Sequence, residues 1–366
     1  MTLPSGDKVM MLVRYDDVIA ALTSPASSRR LARPGLPRMV QGPGIDDVPG
    51  VIINLDPPEH TRYRRIMSSV FSRSRVERWR ASAAGIANEL VDGFTGEFDV
   101  VADYALRLSS RVICHIMGVP QERQDQFHDW TDAFLSTSEA SAEARQASYG
   151  AFLGYIAELI NSHRSNQGDD LIDLLIQARD QEDRLTEIEL VNTVFMLLAA
   201  GHETLTTMIS RGVYRLLLAH EQWDALAADP DLVKPAVEEI LRFDGPGSYG
   251  LLRLATDDIV VQSGVISAGR VVLPNPYAAD HDPSVFPDPG RFDIRRFTTA
   301  GASPHLAFGH GPHYCLGANL ARMELQEGLR ALVKRLPNLR PVTALHEVEW
   351  TADGNHRPIR LPVIPG

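Results

Sequence analysis

The surroundings of one cysteine could support metal chemistry. Cys315 lies in the run FGHGPHYCLG, residues 308–317, and the sequence predicts that it occupies the first turn of a helix. Three glycines in this run allow the backbone to pass close to a bulky flat group and leave peptide N–H groups for the sulfur. Because the start of a helix favours negative charge, we expect a thiolate at Cys315.

A thiolate either attacks a substrate or binds a metal. No acidic residue adjoins Cys315 to orient a histidine partner, which favours a metal ligand over a nucleophile. Two alternatives remain open at this point: a buried small residue at a helix start, and a metal site formed by His310, His313 and Cys315. The second alternative lacks a fourth ligand at the spacing typical of zinc sites.

A second chemically capable group is the run Ala200-Gly201-His202-Glu203-Thr204, inside an apolar segment. Glycine in a helix interior costs about 1 kcal/mol relative to alanine, and buried polar groups need partners. Local conflicts of this kind in a core usually mark function. The alternative is a threonine that bonds the carbonyl four residues earlier. Thr206 occupies the second histidine position of H-E-x-x-H, so the zinc-protease pattern is absent.

Two pairs of charged residues have helical spacing. Glu239 and Arg242 are three residues apart, and His60 and Arg64 are four apart in the run DPPEHTRYRR, residues 56–65. Residues at these separations share a helix face. Taken alone, each pair is also compatible with ordinary surface charge, which contributes less than about 1 kcal/mol.

Long elements must position these residues. The segment 185–220 contains no proline, opens with the capping box Thr186-x-x-Glu189, and is apolar over 194–200. It predicts one helix of about 30 residues, ~45 Å long, whose middle is buried on all sides. Further helices are predicted over 74–94, 105–117, 140–165, 233–243 and 315–336, and strands over 9–13, 259–262, 271–273, 348–351 and 359–363.

The sequence therefore predicts a mainly α protein with a small β region. Proline and glycine concentrate at 34–58 and 283–312, and irregular stretches of this length usually carry function. Neither an internal repeat nor a linker separates parts of the chain. We expect a single domain over residues 1–366.

Composition excludes several classes of function. The 366 residues are 44% hydrophobic, which excludes disorder, and the net charge of −11 opposes binding to nucleic acid. Two cysteines do not make a disulfide framework and fit a cytoplasmic location. The apolar runs fall short of the ~18 residues that span a bilayer, and no signal peptide is visible, so we expect no membrane association.

Several motifs together resemble the cytochrome P450 family. The run 308–317 matches the haem-binding signature F-x-x-G-x-x-x-C-x-G at each fixed position. In chain order, 56–65 resembles D-P-P-x-H-x-x-x-R, 200–204 resembles A-G-x-[DE]-T, 239–242 resembles E-x-x-R, and 278–289 resembles the family's proline-rich stretch. The resemblance implies the cytochrome P450 fold, a large helical domain with haem b (iron protoporphyrin IX) between the long central helix and the cysteine-loop helix.

The resemblance also assigns roles. Cys315 is implied to be the axial ligand of the haem iron, and Glu203 and Thr204 to deliver protons during dioxygen cleavage. Glu239, Arg242 and Arg296 are implied to form a buried brace for the cysteine loop. The other implied cofactor-binding residues are His60, Arg64, Arg253, His313, Phe308 and Ala200. The implied substrate pocket includes Met196, Tyr249 and Leu251, with the segments 34–50 and 130–150 and the turn near Gly354.

The activity implied is that of a monooxygenase. It inserts one oxygen atom of O2 into a small organic substrate, expected to be a polyketide or peptide natural product, and releases the other as water. Alternatives are a haem protein that senses gas or carries electrons, disfavoured by the Glu203-Thr204 pair, and the same enzyme class performing epoxidation, oxidative coupling or desaturation.

Electrons are expected from separate proteins, because the sequence contains no fused flavin or iron–sulfur domain. The resemblance implies a ferredoxin and a ferredoxin reductase as donors. A basic docking surface is predicted from Arg62, Arg65, Arg322 and Arg330. Bacterial family members usually carry an extra helix and strand before the strand at 9–13, so we expect part of the channel wall to differ here.

Overall fold

A computed structural model describes most of the chain in two compact units. The first unit comprises Met1–Arg65 and Pro235–Ala318, and the second comprises Ile66–Lys234 and Asn319–Gly366. The prediction of one domain stays a prediction. The residues described are 1–41, 45–48, 50–120, 123, 142–165, 168–180, 185–246, 250–299, 301–352 and 356–366.

Helices dominate the described residues, and the strands are short. The helices are α1 Tyr15–Thr23, α2 Glu59–Val70, α3 Arg73–Asp92, α4 Leu106–Ile116, α5 Ala142–Ser165, α6 Leu171–Asp180, α7 Glu187–Leu218, α8 His220–Ala228, α9 Val233–Asp244, α10 Pro276–Ala279 and α11 Ala318–Arg335. The strands are β1 Met10–Leu12, β2 Ser27–Ser28, β3 Phe98–Asp99, β4 Arg253–Ala255, β5 Ile259–Val261, β6 Gly264–Ile266, β7 Val271–Pro274, β8 Arg340–Pro341 and β9 Pro362–Ile364.

The first unit is built on a four-stranded sheet in the order β1-β7-β4-β2. β1 pairs with β7 in parallel, and the other pairs are antiparallel. α1 packs its apolar face into a core that includes Tyr15 and Phe286. The Tyr15 hydroxyl donates to the Pro304 carbonyl at 2.6 Å, which fixes the segment leading to the cysteine loop.

The second unit is organised around α7. Its capping box is present: Thr186 Oγ1 accepts from the Glu189 N–H at 3.2 Å, and Glu189 Oε2 accepts from the Thr186 N–H at 2.8 Å. α7 packs against α4, α5 and α6, and the rings of Phe152 and Phe195 meet edge to face at 5.4 Å. A separate sheet, in the order β3-β9-β8, belongs to the same unit.

The long-helix prediction is confirmed, and the predicted helices at 74–94, 105–117, 140–165 and 233–243 are present with small shifts at their ends. The predicted strand at 348–351 is wrong, because the chain there forms only an isolated bridge between Trp350 and Pro358. The last strand begins at Pro362 rather than 359. Sequence reasoning missed α1, α6 and α8.

None of the described helices combines the length and the apolar character that a membrane span requires.

Candidate functional site

The cysteine loop of the first unit leaves Cys315 accessible. Phe308 and Ala318 are buried, whereas Cys315 is exposed. The prediction that Cys315 lies in the first helical turn is wrong: α11 begins only at Ala318, and the Cys315 N–H donates to the Phe308 carbonyl at 2.8 Å. A backbone hydrogen bond therefore closes the loop, and the exposed Cys315 is accessible to a ligand.

Two glycines allow this loop to form. Gly309 and Gly311 both have φ of 71°, the left-handed region that favours glycine. A Cβ at Gly311 would also lie 2.7 Å from the Leu22 carbonyl oxygen at the end of α1. At Gly311 the close approach is to the protein's own backbone, and the expected approach of this loop to a flat group stays a prediction.

Three predicted residues meet around a buried carboxylate. Arg242 donates from Nε to Glu239 Oε2 and from Nη2 to Glu239 Oε1, both at 2.8 Å. The Arg296 Nε lies 3.1 Å from Glu239 Oε2. Glu239 and Arg242 are completely buried, which excludes the surface ion pair that the spacing alone allowed. Removing one partner of such a pair leaves an uncompensated charge and costs about 3–5 kcal/mol.

Asp280 continues this network to the cysteine loop. Arg242 Nη1 donates to the Asp280 carbonyl at 2.9 Å, and Asp280 Oδ1 accepts from the Leu306 N–H at 2.7 Å. The side chain is completely buried, and burial raises the pKa of Asp280 well above its ordinary value. Hydrogen bonds thus run from Glu239 to the residues that precede Phe308.

Positive charge is concentrated near Cys315. The rings of His60 and His313 lie 4.2 Å apart, and burial together with the charge of Arg253 lowers the pKa of His313 to about 3. Burial and the charge of Arg64 lower the pKa of His60. Burial and the neighbouring Arg29 lower the pKa of Arg253 to about 9. Burial is the largest cause of each of these shifts, and the charges of the neighbouring arginines add to it.

These donors fit haem. Two carboxylates near this cluster already bind Arg29. Its Nη2 lies 2.6 Å from Asp46 Oδ1, and its backbone N–H donates to Asp56 Oδ1 at 2.8 Å. His60 Nε2 is buried without a hydrogen-bond partner. Two propionates would supply the negative charge that this cluster needs, and Cys315 offers a soft sulfur ligand for iron.

One face of α7 in the second unit is open. Met196, Ala200 and Thr204 are spaced four residues apart and share a face. Met196 is half-buried, and Ala200 and Thr204 are exposed, so the prediction of a middle buried on all sides is wrong. The helix runs without interruption through Gly201, where a Cβ would lie 3.1 Å from Ile113 of α4. Gly201 thus admits close packing of α4.

The two predicted proton-transfer residues are already engaged. Thr204 Oγ1 donates to the Ala200 carbonyl at 2.7 Å, the local bond expected of a threonine within a helix. The Arg357 Nε lies 3.0 Å from Glu203 Oε1, and the two side chains are 18% and 15% exposed. Glu203 is therefore held in a fixed, partly solvated position beside the open face.

The predicted pocket residues are only partly described. Leu251 is half-buried in the first unit. The preceding residue, Gly250, has a φ of 72°, and a Cβ added there would lie 2.3 Å from the Pro274 carbonyl oxygen. Tyr249 and Gly354 lie outside the described residues, as do parts of 34–50 and most of 130–150.

Sequence reasoning missed three residues of this site. Arg29 donates to the Leu252 carbonyl at 2.7 Å, Asp280 bonds the cysteine loop, and Arg357 pairs with Glu203. No local pattern marks them, because each partner lies far away along the chain.

Comparisons with known proteins identify the family. The Cytochrome P450 family model matches residues 110–338. Mycinamicin IV hydroxylase/epoxidase of Micromonospora griseorubida is 39% identical over 366 residues, covering 99% of this chain and 90% of that protein. Nocardicin C N-oxygenase of Nocardia uniformis is 38% identical over 369 residues, with 99% and 90% covered.

A solved structure is similar over nearly the whole chain. The LnmA cytochrome P450 hydroxylase from the leinamycin biosynthetic pathway of Streptomyces atroolivaceus has a TM-score of 0.89 at 40% identity, covering 96% of this chain and 89% of that one. The chain belongs to the cytochrome P450 family. It is a cytochrome P450 monooxygenase, an enzyme that uses haem, O2, an organic substrate and redox partners.

Proposed function

We propose that this enzyme oxidises a polyketide or peptide natural product, with Cys315 as the ligand of the iron of haem b. Its relatives include a mycinamicin hydroxylase/epoxidase and a nocardicin N-oxygenase, both named for natural products. The observation that carries the assignment is the exposed Cys315 in a loop held by hydrogen bonds, beside the cation of Arg64 and the buried His60 Nε2 that has no hydrogen-bond partner. A monooxygenase, and not a gas sensor or an electron carrier, is the function that we propose.

The first unit holds the cofactor in this proposal. Cys315 offers its sulfur to iron, and His60, Arg64, Arg253 and His313 offer donors to the propionates. When bound, haem supplies the activation of O2 that allows one oxygen atom to enter the substrate. Phe308 fixes Cys315 through the backbone bond described above.

The second unit provides proton delivery. Glu203 is 15% exposed and can take up a proton from solvent, while Arg357 keeps its carboxylate oriented. Thr204 keeps its hydroxyl at the exposed face of α7, where its oxygen can accept a hydrogen bond; to pass a proton on, the hydroxyl must turn its hydrogen from the Ala200 carbonyl to the next acceptor. A hydroxyl and a carboxylate next to each other move protons without a column of bulk water. Met196 and Ala200 leave room for substrate on the same face.

The replacement of Cys315 by serine tests the ligand assignment. Serine removes the sulfur with little change in volume, so we expect the absorption spectrum of the reduced, carbon monoxide-bound protein to lose its thiolate character. Cys114 is the matched control, because it is completely buried and burial raises its pKa to about 12. A Cys315→Ser protein that keeps the thiolate spectrum, while Cys114→Ser loses it, would overturn the proposal.

The redox partners are proposed to be a ferredoxin and its reductase. Arg65 is exposed and Arg62 half-buried on α2, and on α11 Arg330 lies 3.7 Å from Glu327. Replacing Arg62 and Arg65 by glutamate should slow ferredoxin-driven turnover and weaken its salt dependence, because rim charges mainly set association rates. Turnover driven by peroxide is the control and should not change. We also propose a cytoplasmic location for this enzyme.

A further inference from the structure

A second cluster of metal-binding side chains lies in the second unit. His163 belongs to the last turn of α5, Asp170 directly precedes α6, and Asp173 lies in the first turn of α6. Each offers one ligand atom, and these atoms all lie within 4.8 Å of one another. His163 is 8% exposed and Asp173 only 2%. The cluster is thus compact and largely shielded from water.

The orientation of His163 is that of a metal ligand. Its Nδ1 lies 2.8 Å from the Leu159 carbonyl, an acceptor, so Nδ1 carries the hydrogen. In the neutral ring the lone pair then lies on Nε2, which is 2.7 Å from Asp170 Oδ2. Metal-bound histidines are typically fixed in this way by a carbonyl on the other nitrogen. Two facing lone pairs require a positive charge. In the metal-free chain a second ring proton supplies it, since the hydrogen bond to Asp170 raises the pKa of His163 and makes the two side chains an ion pair; a metal ion would replace that proton.

In each carboxylate one oxygen accepts a hydrogen bond from a backbone N–H. Asp170 Oδ1 accepts from the Asp173 N–H at 3.0 Å, and Asp173 Oδ2 accepts from the Gly168 N–H at 3.0 Å. Asp173 Oδ1 is buried and has no hydrogen-bond partner. This buried oxygen without a partner, within the compact group of His163 and the two carboxylates, points to a bound ion.

The residues next to the cluster are a paired arginine, Arg164, and a glycine, Gly118. Arg164, next to His163, is paired with Glu187 at 2.6 Å. Gly118, with φ of 66°, approaches so closely that a Cβ there would lie 2.1 Å from Asp170 Oδ2 and 2.6 Å from His163 Nε2. The absence of a side chain at Gly118 is what allows the ring and the carboxylate to meet.

We propose that His163, Asp170 and Asp173 bind a divalent transition metal ion of the zinc class, which ties the end of α5 to the start of α6. One imidazole nitrogen and two carboxylates suit Zn²⁺, and the nitrogen disfavours Mg²⁺. The site is distinct from the haem ligands, and its role is structural. Binding to the folded chain alone stabilises it in proportion to the logarithm of the metal concentration.

Metal analysis of the haem-loaded enzyme tests this site. After chelation and dialysis against Zn²⁺, we expect one zinc per iron in the unmodified enzyme. His163→Gln and Asp173→Asn should lose the zinc, whereas Asp169→Asn, an exposed neighbour with the same change of charge, should keep it. Zinc at about a hundredfold excess over its Kd should raise the Tm by about 3 °C, and Mg²⁺ should not.

Three results would overturn the site: no zinc in the unmodified enzyme, the same zinc content in His163→Gln, or a Tm that responds to pH but not to Zn²⁺, which means that a proton holds the cluster. If both variants fail to fold, crystals of the unmodified enzyme soaked in Zn²⁺ decide. An anomalous peak at the zinc absorption edge between the three side chains supports the site, and a peak elsewhere or none contradicts it.

Discussion

At the scale of single residues, the proposed proton path depends on side chains that are fixed before substrate binds. The Thr204 hydroxyl already donates to the Ala200 carbonyl, and Glu203 is already paired with Arg357. The Glu203 carboxylate, already held by Arg357, needs no reorientation during the reaction, whereas the Thr204 hydrogen has to turn from the Ala200 carbonyl to the next acceptor. The local bond of Thr204, which the sequence offered as an alternative to function, is compatible with it.

Thr204→Ala should retain haem but form less product for each electron consumed. Alanine removes the hydroxyl and leaves the helix intact, so reduced oxygen should leave as peroxide instead of oxidising substrate. Thr204→Ser keeps a hydroxyl and is the matched control, expected to remain largely coupled. The measurement is product formed per electron consumed, with peroxide assayed in parallel; a fully coupled alanine variant would rule out the role of Thr204.

Arg357→Gln should impair proton delivery without affecting haem. Glutamine removes the charge that orients the Glu203 carboxylate, although Arg357 is distant from it in sequence. We expect slower product formation and a larger solvent isotope effect, with an unchanged absorption spectrum. Arg357→Lys, which keeps a cation, should restore most of the rate. An isotope effect equal to that of the unmodified enzyme in Arg357→Gln would show that the ion pair is merely structural.

At the scale of elements, sequence patterns predicted those elements whose stabilising hydrogen bonds join residues close together in the chain. The capping box of Thr186 and Glu189 marked the start of α7 because its hydrogen bonds lie within one turn. The strand predicted at 348–351 failed because alternating side chains do not provide a partner strand. Asp280 and Arg29 could not be predicted, since their partners are brought close only by the completed first unit; Arg29 and Leu252 are 223 residues apart.

Asp280 offers a test of how the brace reaches the cysteine loop. Asp280→Leu removes the acceptor of the buried Leu306 N–H, and an unsatisfied buried donor costs about 1–3 kcal/mol. We therefore expect Asp280→Leu to lower both Tm and haem content. Asp280→Asn keeps the acceptor oxygen and avoids an ionisable group where burial raises the pKa, so it should retain haem. Equal haem loss in both variants would contradict a hydrogen-bonding role.

At the scale of the whole molecule, charge is distributed unevenly. The chain has a net charge of −11, yet the three cations Arg29, Arg64 and Arg253 gather in the first unit around His60 and His313, two histidines whose pKa values are lowered. Such a concentration of positive charge destabilises the folded chain unless an anion joins it. The same feature that would attract the propionates is thus a cost to the haem-free protein.

This cost predicts how the haem-free chain responds to acid. His313 has a folded-state pKa of about 3, below its ordinary value near 6.5, so the unfolded chain binds more protons in between. Its contribution to stability is therefore complete above about pH 6.5 and is lost as the pH falls towards 3. At about pH 5 the loss should be about 2 kcal/mol, measured as a lower urea midpoint. His313→Gln should flatten this dependence, whereas His346→Gln, at an exposed histidine, should not. If the His313→Gln curve runs parallel to that of the unmodified chain, the buried ring is not the group that titrates, and the charge excess assigned to this cluster is wrong.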